Sequence, residues 1–142
     1  MNHLPTRQGF DSFIGFLTGM QASYTSGLRW KGEEYFPDSA YFTNLCGDAA
    51  YTAVEQHDAD TPMFLYLPWY ATHNPYIPAA PGWDGPLYEG LLWAVDVHAG
   101  RLRTLLEEKG MWSNLLFVYS SDSKYMCIFQ FAAQGSLSAA LL

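Results

Sequence analysis

The apolar and polar positions of this chain fall into a helix, strand, helix, strand order after an irregular opening. From Thr43 or Asn44, each a suitable N-cap, Leu45, Ala49, Ala50, Ala53 and Val54 recur at helical spacing until about His57. Asp58-Ala59-Asp60-Thr61-Pro62 closes that helix, and Met63-Phe64-Leu65-Tyr66-Leu67 follows as a short continuous apolar run, the composition of a strand buried in a parallel sheet. A loop holding Pro68, Pro75, Pro78, Pro81 and Pro86 comes next. Beyond it Leu87, Leu91, Val95, Leu102 and Leu106 trace one face of an amphipathic helix, with Lys109 favourable to its C-terminal dipole and Gly110 as its cap. Leu115-Leu116-Phe117-Val118-Tyr119 is a second buried-type strand, closed by Ser120-Ser121-Asp122. The first forty residues, rich in Gly, Ser, Thr and aromatics, sustain neither period and read as loop. This rhythm predicts a layered α/β protein with parallel strands flanked by helices.

Composition narrows the picture. In 142 residues, 7 Lys+Arg against 14 Asp+Glu give a net charge of −7, which argues against a nucleic-acid surface, since that needs clustered cations to replace phosphate counterions. Apolar residues at 49% and aromatics at 17% suffice for a core. Charged residues at 15% are few for a domain that must cover its own surface, so the chain reads as sparingly soluble or as part of something larger. The N-terminal Met1-Asn2-His3-Leu4-Pro5-Thr6-Arg7 lacks the apolar core of a signal peptide. Residues 125–142 carry no charge, yet Gln130, Gln134, Gly135, Ser136 and Ser138 speak against a membrane span, leaving a core helix or a divergent tail. Cys46 and Cys127 match no zinc or redox spacing.

Ligands of open α/β sheets bind beyond the carboxyl ends of the strands. Each predicted strand has a chemistry-bearing residue there: His73 in Trp69-Tyr70-Ala71-Thr72-His73-Asn74-Pro75, and Asp122 after Ser120-Ser121. If the strands are parallel neighbours, His73 and Asp122 emerge on one edge. An imidazole there can donate to an anionic substrate or shuttle a proton, and a carboxylate can bind a hard divalent cation. As structural alternatives, His73 is a turn residue and Asp122 a turn cap. The other candidates read as structural: His98 continues the Leu91–Val95–Leu102 stripe as a partly buried helix residue, His57 offsets a helix dipole, and His3 sits near the terminus. Asp96 pairs or caps locally, while Asp84, Glu33 and Glu34 are solvated loop charges. No G-x-S-x-G, P-loop or H-E-x-x-H is present.

At these same stretches the chain resembles the sulfatases, most closely the arylsulfatase B-like branch. Leu4-Pro5-Thr6-Arg7-Gln8-Gly9-Phe10-Asp11 is similar to the family's L-P-T-R-x-G-F-D. Pro62-Met63-Phe64-Leu65-Tyr66-Leu67, then Thr72-His73-Asn74-Pro75, is similar to P-[FL]-F-L-Y-L…H-x-P. Tyr88 to Asp96 and Gly110-Met111-Trp112 follow the intervening helix, and Leu116-Phe117-Val118-Tyr119-Ser120-Ser121-Asp122 resembles the strand end [VI]-F-x-[FY]-[ST]-[ST]-D-N-G. Four segments in the right order are far more specific than one motif.

The resemblance implies an alkaline-phosphatase-type layered sheet and hydrolysis of sulfuric esters, with a sulfated small molecule or glycan as partner and a secretory or lysosomal setting. By position, His73 corresponds to the histidine that contacts the sulfate or leaving group, and Asp122 to a ligand of the family's calcium ion. Residues 1–124 then form a partial sulfatase catalytic domain and 125–142 a divergent uncharged tail. The departures are equally specific. Neither Cys46-Gly47-Asp48 nor Cys127-Ile128-Phe129 lies in C-x-P-S-R, the source of the family's formylglycine nucleophile. Neither the N-terminal pair of metal-binding aspartates nor the G-K-W-H-L-G segment is present, and Ser123-Lys124 stands where Asn-Gly is expected. The expectation is therefore a sulfatase-like chain that is inactive by itself, the alternatives being a non-catalytic α/β binding module or a decayed remnant.

Overall fold

The computed structural model describes residues 3–17, 28–31, 34–37, 41–73, 82–120, 129–132 and 139–141. Asp122 and Cys127 lie outside the described residues, as does the Asn74–Pro81 part of the proline-bearing loop. In chain order the elements are β1 (Ile14–Gly15), β2 (Leu28–Lys31), β3 (Glu34–Pro37), α1 (Phe42–Gln56), β4 (Met63–Leu65), α2 (Leu87–Glu108), β5 (Leu115–Tyr119), β6 (Phe129–Ala132) and β7 (Ala139–Leu141). They form two compact units: residues 1–49 with 70–95, and residues 50–69 with 96–142, so that α1 and α2 each contribute to both.

In the second unit the strand order is β4-β7-β5-β6. β7 pairs in parallel with β4 through Met63↔Ala139 and Leu65↔Leu141, and with β5 through Leu115↔Ala139 and Phe117↔Leu141. β6 adds an antiparallel strand beside β5. The two strands read from the sequence are thus parallel members of one sheet, but they are not neighbours: β7 takes the hydrogen bonds between them. The uncharged C-terminal stretch forms strands where it is described, not a core helix.

Met63, Leu65, Leu115 and Phe117, alternate residues of β4 and β5, face a core built from Ala50 and Val54 of α1 and Leu102, Leu105 and Leu106 of α2. Packing helix stripes on one face of a mostly parallel sheet is the layered α/β solution, and it matches the predicted class. β4 is shorter than the apolar run that announced it and it lies at the sheet edge, so Phe64 and Tyr66 remain 52% and 55% exposed. Among the described residues the helices cover the Met63 and Leu65 face of β4, while Phe64 lies on the other face, so the apolar run is not a two-sided buried strand here.

The end of α2 follows the expected cap. Gly110 adopts φ +71°, a left-handed value that a Cβ would disfavour. Its N–H donates to the Glu107 carbonyl at 3.0 Å, and Met111 N–H donates to the Leu106 carbonyl at 2.9 Å. These two bonds form a Schellman motif, completed by Met111 and Leu106 meeting in the core. Lys109 acts across the unit: its ammonium donates to the carbonyls of Glu55 and His57, both at 2.8 Å, so it caps α1 instead of serving its own helix.

In the first unit β1, β2 and β3 form an antiparallel sheet in that order, with Lys31↔Glu34 closing the β2–β3 pair. This sheet lies in the stretch that reads as loop from periodicity. α1 begins at Phe42, not at Thr43 or Asn44: the Tyr41 carbonyl accepts the Leu45 N–H at 3.0 Å, which makes Tyr41 the N-cap. Tyr41, Phe42 and Thr43 are all buried, so packing fixes the helix start where a polar side-chain cap was expected. Tyr41, Leu91 and Ala94 form the local core, with Ala71 and Trp93 against it. No helix among the described residues is long and apolar enough to cross a membrane.

Candidate functional site

His73 is presented by a turn whose construction is visible residue by residue. Its N–H donates to the Tyr70 carbonyl at 3.2 Å, closing Tyr70-Ala71-Thr72-His73. Thr72, the residue before it, has φ +72°. A β-branched residue in the left-handed region costs about 1–3 kcal/mol and persists only where its surroundings over-determine it. They do so here. Ala71 packs on Tyr41, Leu91 and Ala94, and the Tyr70 ring is held edge-on by Phe16 and Phe42 at 5.9 and 6.4 Å, themselves 5.1 Å apart.

The His73 ring stacks on Tyr70, centroids 5.0 Å apart and planes 21° apart. An aromatic pair of this kind contributes about 0.5–1.5 kcal/mol and, more to the point, fixes ring orientation. His73 is exposed, and the stack on Tyr70 covers one face of its ring. The sequence singled out His73 but not this aromatic support; the Trp69-Tyr70 pair ahead of it is the signal that carries it.

Of the other histidines, His98 lies on the α2 stripe as the sequence places it, but more deeply. His98 is fully buried at 5% exposure, more than a partly buried stripe residue. It stacks on Trp69 at 6.0 Å, and its Nδ1 accepts from the Arg101 guanidinium at 3.3 Å, while that guanidinium lies 5.0 Å from the Tyr51 ring centroid. An acceptor Nδ1 places the proton of a neutral ring on Nε2. His57 is at the α1 end with Nε2 2.8 Å from the Thr61 carbonyl.

β5 ends at Tyr119, three residues before Asp122, whose meeting with His73 on one edge lies outside the described residues. Among the described residues no group of three or more His, Cys, Asp and Glu side chains is placed to hold a metal ion. Calcium takes about six to eight oxygen ligands, so the described residues do not fit that ion by themselves.

No protein-family model matches the chain. Among curated proteins it is 28% identical over 130 residues to the uncharacterized sulfatase YdeN of Escherichia coli K12, covering 84% of this chain and 23% of that protein. It is 26% identical over 148 residues to arylsulfatase J of Mus musculus, covering 84% of this chain and 24% of the relative. The chain resembles sulfatases over most of its length. It spans about a quarter of the length of these curated sulfatases. Among solved structures, crystal structures of Ps i-CgsB, alone and in complex with k-i-k-neocarrahexaose, superpose with a TM-score of 0.70 at 24% identity, covering 85% of this chain and 34% of theirs. That likeness establishes a shared fold, of the alkaline-phosphatase-like α/β class expected from the sequence.

Proposed function

We propose that this chain carries part of the catalytic domain of an arylsulfatase-type sulfuric ester hydrolase, with His73 as the residue that meets the sulfate group. One observation carries the reading: His73 is exposed yet locked, by its stack on Tyr70 and by the strained Thr72, at the place in sequence where sulfatases carry H-x-P. A pre-oriented imidazole donates a hydrogen bond to a sulfate oxygen, or a proton to the leaving oxygen as the S–O bond breaks. Asp122 is the proposed calcium ligand, with the other oxygens of that shell supplied from outside the described residues. Residues 1–124 are assigned to the partial catalytic domain, and 125–142 to a divergent tail that nonetheless lends β6 and β7 to the sheet.

The substrate class is a sulfated small molecule or glycan. The name of arylsulfatase J and the k-i-k-neocarrahexaose bound by Ps i-CgsB both support it. Family kinship likewise supports a secretory or lysosomal setting. With no C-x-P-S-R among its 142 residues, the chain lacks the source of the family's formylglycine nucleophile. Incubated with calcium and 4-nitrocatechol sulfate, it is expected to release no nitrocatechol. Release that disappears in His73→Ala would overturn the inactivity and would make the chain an enzyme in its own right.

A further inference from the structure

Resting on the saccharide reading above, we propose that Trp83 is a stacking platform for a neutral sugar ring of the sulfated glycan, held in position by Trp93, Gly85 and Pro86. Trp83 precedes α2 and is partly exposed, a position where an indole ordinarily swings between rotamers. Three contacts hold this one. Its Nε1–H donates to the Pro86 carbonyl at 3.0 Å, and its ring lies 5.7 Å from that of Trp93 with planes 31° apart. The ring also lies against Gly85, where a Cβ would stand 2.8 Å from Cζ2 and 3.0 Å from Cε2. Only glycine admits the indole there.

Trp93 packs on the same Tyr41–Leu91–Ala94 cluster that supports Ala71, two residues before His73. The indole and the His73 turn are therefore braced on one small core within one unit.

The chemistry selects the ligand. With Nε1–H engaged by Pro86, the exposed part of the Trp83 ring is apolar and offers no donor. The face of a pyranose where several C–H bonds point the same way buries apolar area against such a ring, and a fixed indole loses little rotamer freedom on binding. The neighbouring Asp84 is exposed, and a carboxylate is an acceptor for sugar hydroxyls. Its negative charge repels a sulfate ester, so the ring on Trp83 is an unsulfated neighbour of the sugar that reacts.

The test titrates the full chain with neoagarohexaose, a neutral galactose-based hexasaccharide, followed by calorimetry. Trp83→Ala is expected to weaken binding by about tenfold, the usual cost of truncating an aromatic anchor. Trp83→Phe, which keeps a π face, stays within about threefold of the parent. Gly85→Ala, which displaces the indole without removing it, weakens binding as well. Equal affinity in the parent, Trp83→Ala and Gly85→Ala overturns the platform, and so does a parent chain that does not bind the hexasaccharide. The response of the His73 imidazole to 4-nitrocatechol sulfate is read separately. Loss of that response with Trp83-dependent saccharide binding intact removes the sulfate assignment and leaves the platform; the converse removes the platform alone.

Discussion

Leu106→Ala is expected to lower the unfolding free energy of the second unit by about 3 kcal/mol, the middle of the range for a fully buried leucine. Leu106 is 2% exposed and packs with Val54, Leu102, Met111 and Leu115, so helix α1, helix α2 and strand β5 all lose contacts at once. Alanine is the best helix former, so the loss reports the cavity and not helix propensity. Leu106 is also the apolar partner of Met111 in the Schellman motif, which adds fraying at the end of α2. Urea denaturation followed by circular dichroism measures it. Val97→Ala on the same helix and in the same unit, at a residue 38% exposed, should change stability by no more than about 0.5 kcal/mol. Equal effects of the two substitutions would mean that this cluster is not the core.

Lys109→Met is expected to cost about 1.5 kcal/mol, at the low end for charged hydrogen bonds because one of its two bonds is exposed to water. The last carbonyls of α1 have no partner within the helix, and the Lys109 ammonium meets those of Glu55 and His57 while offsetting the negative end of the dipole. Methionine keeps the apolar stem and removes the donors, which isolates this term. Faster amide exchange at the C-terminal end of α1 should accompany the loss. A Lys109→Met chain as stable as the parent would show that water caps α1 equally well.

The sequence was most legible where one local pattern decides one element. The bounds of β5 match the apolar run Leu115–Tyr119, and α2 follows its stripe to the Gly110 cap, because a helix stripe and a glycine stop are local signals. Legibility failed where partners are distant in sequence or packing overrides propensity. β1, β2 and β3 lie where the periodicity predicts loop, although Gly32-Glu33 between two short aromatic-bearing segments is a hairpin signal. β7 displaces the expected neighbour relation of β4 and β5, a tertiary choice that Ala139–Leu141 does not announce. The N-cap of α1 is Tyr41, not Thr43 or Asn44, because burial of the Tyr41–Phe42 pair outweighs a polar cap. His73 was legible from its place after a strand-like run; the Tyr70 stack and the Thr72 strain that orient it required the structure.

The central claim is that His73 is the residue of this chain that meets a sulfate ester. It is tested most directly by following the imidazole resonances of the four histidines in the full chain during titration with 4-nitrocatechol sulfate. The expected result is a saturable shift of the His73 ring, with buried His98 unmoved and the shift absent in His73→Ala. A titration in which the His73 ring stays fixed while another histidine responds would contradict the account.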